Sequence, residues 1–320
     1  MKKYLEQVGN TPVINLSDKM FHDLNIYIKL EFFNPTGSVK DRAASFILNK
    51  LISNGEIDKD TIIIESSSGN FGIALASYCK MLGLKFYCVI DPNITYINEM
   101  LIRKLSTEVF IVKEHDENGG YLIERIKKVK RLQAQHENTY WINQYGNPYN
   151  AEAYYMTLGN ELCNEINPID YIFIGVSSCG TITGVSQRIK GKFPKARVIA
   201  VDIVGSVIFG GKSKKRYIPG IGSSMQPENL RKARIDDVIQ VTEEETIDMC
   251  NYLLENHQIF AGGSSGSVMV AIHNYFRDRK LTNVNVVAIF ADRGDRYGTT
   301  VYNKEWCMEK FPKMIKGERV

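Results

Sequence analysis

Short, nearly all-apolar runs alternate along this 320-residue chain with stretches of helix length. Residues 25–32, 61–65, 85–90, 109–112, 171–176, 198–202, 238–241 and 284–290 read as strands. Residues 43–51, 71–81, 94–105, 121–135, 151–165, 182–190, 243–256 and 267–276 read as helices. A strand apolar on both sides must be covered on both faces, and neighbouring parallel strands need a helical crossover. The alternation therefore predicts an α/β fold rather than a sandwich or a bundle. A single core stops growing at roughly 250–300 residues. The chain is thus expected to form two lobes around a cleft, each a mostly parallel twisted sheet flanked by helices. The boundary is placed near residues 146–150, giving lobes of 1–146 and 147–320, with residues 13–34 free to pair with the sheet of the other lobe.

Composition narrows the function by exclusion. Forty basic and 36 acidic residues give a net charge of +4, too balanced to argue for a nucleic-acid partner or a membrane surface. No apolar run approaches the roughly 20 residues needed to span a bilayer. The first ten residues carry two lysines without an apolar stretch behind them, unlike a secretory leader. Six cysteines are scattered without a C-x-x-C pair, the usage of a reducing compartment such as the cytoplasm. The five histidines form no metal-ligand pattern with acids or cysteines, so no metal is expected.

Three turns and one lysine carry the chemistry. Asn34-Pro35-Thr36-Gly37-Ser38-Val39-Lys40-Asp41-Arg42 joins a strand to a helix and sets Lys40 at the helix start. The positive end of a helix disfavours a second cation, and burial lowers the amine's pKa further. A lysine made neutral in this way is suited to a Schiff base; taken alone, the stretch reads more readily as an ordinary snorkelling lysine, and the rest of the chain reverses that. Ser66-Ser67-Ser68-Gly69-Asn70 is either an anion pocket for a substrate carboxylate or a plain N-cap. Ser177-Ser178-Cys179-Gly180-Thr181 repeats the arrangement in the second lobe, with small residues that let N–H groups approach a phosphate. Ala261-Gly262-Gly263-Ser264-Ser265-Gly266 opens a third helix. In an open α/β sheet such turns face one crevice. A reactive lysine, a carboxylate pocket, a phosphate cup and a hydroxyl together match the needs of pyridoxal 5′-phosphate.

NPTGSVKDR, SSSGN, SSCGT-x-TG, PGIG and GGSSG, in that order over nearly the whole chain, resemble the signatures of the cysteine synthase and cystathionine β-synthase family of fold-type II pyridoxal-phosphate enzymes. The resemblance implies Lys40 as the Schiff-base lysine and Asn70 as the partner of the ring hydroxyl. It implies Ser177, Ser178, Cys179, Gly180 and Thr181 as the phosphate site and Ser264 as the contact to the ring nitrogen. Ser66, Ser67, Ser68 and Gln144 fall on its carboxylate-binding loop and that loop's partner. Two departures stand out. Ser177 and Cys179 occupy positions that are usually glycine, and Phe71 replaces the usual threonine, which argues against ordinary sulfide chemistry.

The stretches 140–145, 205–210, 219–222 and 292–297 resemble one branch, the N-(2-amino-2-carboxyethyl)-L-glutamate synthases of 2,3-diaminopropionate formation in siderophore and antibiotic pathways. That resemblance implies a β-replacement joining O-phospho-L-serine to the amine of L-glutamate through an aminoacrylate. It also implies amino-acid substrates and a homodimer. Doubly charged substrates call for cations: Arg216, beside PGIG with Gly220, is the expected anion contact, and Lys212, Lys214 and Lys215 read as a solvated basic loop. Tyr155 reads as a contact to substrate or, more commonly for such a residue, as a core tyrosine; Arg293 and Arg296 read as fixing the C-terminal turn rather than guarding the cleft. The competing readings are a sulfide-using cysteine synthase, a cystathionine synthase, and a cofactor-bound scaffold without turnover.

Overall fold

The computed structural model describes residues 4–21, 23–115, 120–279 and 281–312. Residues 1–3 of the stretch read as lacking a leader, and the last eight residues, lie outside the described residues. In chain order the elements are β1 (Val13–Leu16), β2 (Leu24–Leu30), α1 (Lys40–Ser53), β3 (Ile62–Ser66), α2 (Asn70–Leu82), β4 (Lys85–Ile90), α3 (Tyr96–Leu105), β5 (Glu108–Ile111), α4 (Leu122–Gln135) and β6 (Thr139–Trp141). There follow α5 (Pro148–Met156), α6 (Leu158–Glu165), β7 (Tyr171–Gly175), α7 (Gly180–Lys192), β8 (Arg197–Ile203), β9 (Asp237–Val241), α8 (Glu243–His257), α9 (Gly263–Phe276), β10 (Val284–Phe290) and α10 (Lys304–Lys310).

The strands form two sheets, as the alternation predicts. A six-stranded sheet runs β1-β2-β10-β7-β8-β9 and a four-stranded sheet β5-β4-β3-β6. Every pairing is parallel except that of β1 with β2. β2 pairs along its whole length with β10, 260 residues later, so the N-terminal strand hairpin belongs to the larger sheet. The chain then crosses through the Lys40 loop to build the smaller sheet. Lys40 therefore sits where the two sheets meet.

Three short elements escape the sequence pattern. β1 and β6 have four and three residues, too few to show a period. α10 buries no residue and so carries no apolar stripe. The expected helix 151–165 is broken at Thr157, whose backbone leaves helical geometry (φ −112°, ψ −84°) while its hydroxyl bonds the Ala153 carbonyl at 2.6 Å.

The first turn of α1 is fixed from three directions. Consecutive residues on a helix diverge by about 100°, so Lys40, Asp41 and Arg42 address different surroundings. The buried Asp41 carboxylate accepts from the Thr36 N–H (3.0 Å), the Thr36 hydroxyl (2.7 Å) and the Tyr78 hydroxyl (2.9 Å), tying the NPTGS turn to the helix it precedes. The buried Arg42 guanidinium makes forked bonds to Glu31 (2.6 and 2.7 Å) and to Glu161 (2.6 and 2.7 Å). Fully buried Lys29 reaches the same Glu161 (3.0 Å) and Glu165 (2.7 Å). This cluster joins the end of β2, the start of α1 and helix α6.

Removing one partner of a buried ion pair leaves an uncompensated charge, at a cost of about 3–5 kcal/mol. Arg42→Met is expected to lower unfolding stability by about that much in urea titration; a loss below about 1 kcal/mol contradicts the role assigned to the cluster. Burial alone would raise the pKa of Glu161, but bonds from Arg42, the Asn10 N–H and Lys29 hold it down to about 2 against an ordinary 4.5. A depressed carboxylate stabilises the fold above its unfolded value, so this contribution is present above about pH 4.5 and lost as pH falls toward about 2. Glu161→Gln is expected to flatten that part of the acid-unfolding curve; an unchanged curve refutes the assignment.

Candidate active site

Lys40 is the first residue of α1, after a turn in which Gly37 takes a left-handed φ of 83°. The Val39 N–H bonds the Ala291 carbonyl at 2.8 Å, and Ser38 bridges to Asp292, so the lysine is pinned against the end of β10. Its amine has no hydrogen-bond acceptor or ion pair among the described residues. Burial drives its pKa down from 10.5 to about 8, against the opposing pull of Cys179 and Asp292. Burial also pushes the Cys179 thiol up to about 12, leaving it neutral near pH 7. About a tenth of Lys40 is therefore the free amine at pH 7, far more than an amine with the ordinary 10.5 would give.

The Ser177–Thr181 turn follows β7 and opens α7. Cys179 adopts the left-handed conformation (φ 60°) as the cap residue. None of the backbone N–H groups from Ser178 to Thr181 meets an acceptor among the described residues, which leaves a cradle of donors at a helix N-terminus. Gly180 is required by space: a Cβ there would run into the side chain of Asn150. Asn229 holds the cradle by donating to the carbonyls of Ser178 (3.0 Å) and Gln144 (2.8 Å). Ser264, in the first turn of α9, is buried and faces Gly175 at the end of β7.

On the smaller sheet, the Ser66–Asn70 turn joins β3 to α2. Ser67 caps the helix, its oxygen accepting from the Gly72 N–H at 3.0 Å, and its hydroxyl proton remains available. The Ser66 hydroxyl is buried without a partner. The Ser68 hydroxyl is not available to a ligand: it donates to Asp91 (2.8 Å) and accepts from Arg125 (2.9 Å) and the Asp91 N–H (3.1 Å). Only the main chain of Ser68 can serve a substrate carboxylate. Gln144 lies against this turn, with its side-chain amide 3.3 Å from the Ser66 carbonyl. Its N–H bonds Glu65, a carboxyl that burial lifts to about 7.

Tyr155 is not brought to the cleft. Its ring lies 5.7 Å from the Arg188 guanidinium on the flank of α7. The adjacent Tyr154, one step round the helix, is the fully buried residue that faces inward and bonds the Val39 carbonyl at 3.2 Å, beside Lys40. The apolar face of α5 cannot be phased to one residue from sequence, since both tyrosines fit it. Phe71 is buried in the core around α1 and α2.

Arg216 stands at the mouth of the phosphate cradle. Gly222, with φ 74°, donates to the Val176 carbonyl at 2.7 Å, just before the cradle, and Arg216 packs where a Gly222 Cβ would lie. The guanidinium bonds only neutral oxygens, those of Ile221 (3.2 Å) and Ser224 (3.1 Å), and its Nε is buried without a partner. Gly220 is exposed, with φ 90°. Lys212, Lys214 and Lys215 are exposed, as a solvated loop would be. The Tyr145 hydroxyl lies within the fields of both Arg216 and Arg125, so one guanidinium from each lobe flanks it. Sequence reasoning missed Arg125, Glu65 and Asp292, whose partners lie far along the chain.

These residues fit pyridoxal 5′-phosphate: a neutral amine for its aldehyde, unpaired N–H donors for its phosphate and a buried hydroxyl for its ring nitrogen. Fold and site together define a fold-type II pyridoxal-phosphate enzyme. The chain belongs to the family described as pyridoxal-phosphate dependent enzyme, whose model matches residues 4–292. It is a pyridoxal-phosphate-dependent enzyme of the cysteine synthase and cystathionine β-synthase type. Among solved structures it is similar to the O-acetylserine-dependent cystathionine β-synthase of Helicobacter pylori, with 30% identity over 95% of this chain and 99% of that one, TM-score 0.88. It is similar too to a hydrogen sulfide-producing enzyme of Fusobacterium nucleatum, with 27% identity over 93% of this chain and 99% of that one, TM-score 0.85. An O-ureido-L-serine synthase matches at 27% identity over all of this chain and 96% of that one, TM-score 0.86. Among the described residues no helix is long and apolar enough to cross a membrane, and no acid, histidine and cysteine cluster could hold a metal.

The lysine's shifted pKa makes a measurable claim. The rate at which cofactor-free protein takes up pyridoxal phosphate should rise with pH to a midpoint near 8. A midpoint near the ordinary 10.5 contradicts the burial of the amine.

Proposed function

We propose that the enzyme joins O-phospho-L-serine to the amine of L-glutamate, releasing phosphate and forming N-(2-amino-2-carboxyethyl)-L-glutamate, a precursor of 2,3-diaminopropionate. The observation that carries this reading is Arg216: a largely buried guanidinium beside the phosphate cradle, bonded only to neutral oxygens. Burial lowers its pKa against the opposing pull of the Asp202 and Glu243 carboxyls, neither of which hydrogen-bonds it among the described residues, so its donors remain open to an incoming anion. A forked guanidinium suits a phosphate or carboxylate bidentately. Arg125, across Tyr145 on the other lobe, is already paired with Asp91 at 2.9 Å, which leaves Arg216 as the cation offered to a substrate anion. A substrate pair carrying a phosphate and three carboxylates suits that arrangement better than sulfide does.

The bound cofactor, when present, draws electrons from the amino acid's α-carbon so that its β-substituent can leave. The protein does the rest. The Ser67 hydroxyl, the Ser68 N–H and Gln144 hold the α-carboxylate. Lys40, once displaced by the substrate amine, removes the Cα proton as a general base and later returns one. Arg216 takes the negative charge of the departing phosphate. Once the Cα proton is removed, the Cβ–O bond breaks and phosphate departs; the glutamate amine then forms the new C–N bond at the β-carbon while Lys40 returns a proton to Cα, and the amine proton passes to solvent or phosphate. Lys40 and Cys179 close the base of the cleft, and exclusion of water there prevents hydrolysis.

The same reading places the protein in the cytoplasm, as a homodimer. All six cysteines are free thiols and five are buried, as in a reducing compartment.

The test is direct. Purified holoenzyme is given phosphoserine or acetylserine, then glutamate, sulfide or homocysteine, and products are identified by mass spectrometry. Turnover of phosphoserine with glutamate is expected. Product from sulfide or homocysteine but none from glutamate sinks the proposal and leaves a cysteine or cystathionine synthase. No product with any pair leaves a scaffold. Arg216→Met should lower kcat/KM for phosphoserine by roughly 10–100-fold, the loss of one charge-assisted contact, and should affect acetylserine much less. An equal effect on both donors denies Arg216 its phosphate role.

A further inference from the structure

Asp292 and Arg296, in the turn after β10, converge on a residue of the opposite lobe. The Asp292 carboxylate accepts from Asn70 Nδ2 at 2.6 Å and from the Tyr297 hydroxyl at 2.7 Å. Arg296 donates through one nitrogen to Asn70 Oδ1 and through the other to the Thr36 carbonyl, in the turn before Lys40. Asp292 and Arg296 are both buried, and the backbone of Asp292 is held between Ser38 and Gly262.

The chemistry of the partners fixes which way the Asn70 amide points. A guanidinium only donates, so it must face the amide oxygen; a carboxylate accepts, so it must face the nitrogen. An asparagine side chain offers one acceptor oxygen and two N–H donors. Arg296 occupies the oxygen and Asp292 one N–H. What remains is one N–H donor at the N-terminus of α2, and the second lone pair of an oxygen already engaged by a cation. Left unclamped, the amide could rotate and present its oxygen instead.

We infer that Asp292 and Arg296 are positioning residues for the cofactor: they fix the orientation of the Asn70 amide and leave one N–H to donate to an acceptor oxygen in the cleft, such as the ring oxygen next to the cofactor's aldehyde. The same pair ties that donor to the lysine. Arg296 also holds Thr36, whose N–H and hydroxyl bond Asp41 beside Lys40, and the charge of Asp292 acts on the Lys40 amine. Tyr297 extends the clamp to the PGIG turn, with its hydroxyl 3.4 Å from the Pro219 carbonyl. One unit thus sets both groups that grip the reactive end of the cofactor. The inference rests on pyridoxal-phosphate dependence alone and stands whichever nucleophile the enzyme uses.

The test uses holoenzyme variants Arg296→Met and Asp292→Ala, with the milder Arg296→Lys and Asp292→Asn, after thermal melts establish that each is folded. Cofactor affinity is read by equilibrium dialysis, and the visible band of the bound cofactor by absorbance across pH. Arg296→Met and Asp292→Ala should weaken cofactor binding roughly tenfold or more, as loss of a bond to a charged group does, and should shift the band or its pH midpoint. Asp292→Asn, which can still accept from Asn70, should recover most of the loss. In an Asn70→Ala background both substitutions should add little further effect. Folded variants with an unchanged band and affinity, or effects that add fully to Asn70→Ala, overturn the inference.

Discussion

The buried contact between Arg42 and the carboxylates of Glu31 and Glu161 is the constraint on which the cleft depends. It is made by residues from the end of the N-terminal strand hairpin, the start of α1 and the far helix α6. A guanidinium with 0% side-chain exposure is tolerable only when both forks are met. Meeting them fixes the rotation of α1 about its axis, and that rotation decides where Lys40 points. Asp41 adds the second restraint by gathering the NPTGS turn around its carboxylate. A catalytic amine needs such a frame because a misplacement of about 1 Å costs rate steeply.

From that frame the electrostatics of the cleft follow. Lys40 is desolvated and has no counter-ion in contact among the described residues, so its amine loses its proton more readily than an ordinary lysine. The cradle before α7 offers N–H groups and no charge, which suits a cofactor phosphate. Stronger cations stand further out: Arg216 on the larger lobe, and Arg125 on the smaller, held to Asp91 at 2.9 Å. Of the two, Arg125 is compensated by Asp91 and Arg216 has no hydrogen-bonded carboxylate among the described residues. The carboxylate turn is stiffened from behind by Arg125 and Asp91 rather than by its own serines, and this distinguishes the roles of Ser67 and Ser68.

The fold was legible in the amino-acid sequence because parallel strands buried on both faces leave unbroken apolar runs. The Lys40 turn, the serine-rich turns and the GGSSG turn were legible because close approach to an anion restricts the backbone to small residues. Other features could not be read. Glu161 lies 119 residues from Arg42, and Arg125 lies 57 from Ser68. No local pattern distinguishes such partners from solvated charges. A turn of helix with two adjacent tyrosines, Tyr154 and Tyr155, gives no phase until its neighbours are known. The 292–297 stretch was visible as a motif, but its meaning depends on Asn70, which only the packing of the two lobes brings within reach.

The central claim is that the amine of Lys40, and of no other lysine, bonds the cofactor. Borohydride reduction of holoenzyme followed by protease digestion and mass spectrometry tests it in one step. The account predicts a single peptide carrying the reduced cofactor, with the added mass on Lys40. Label on any other lysine, or cofactor bound with no reducible bond to the chain, would contradict it.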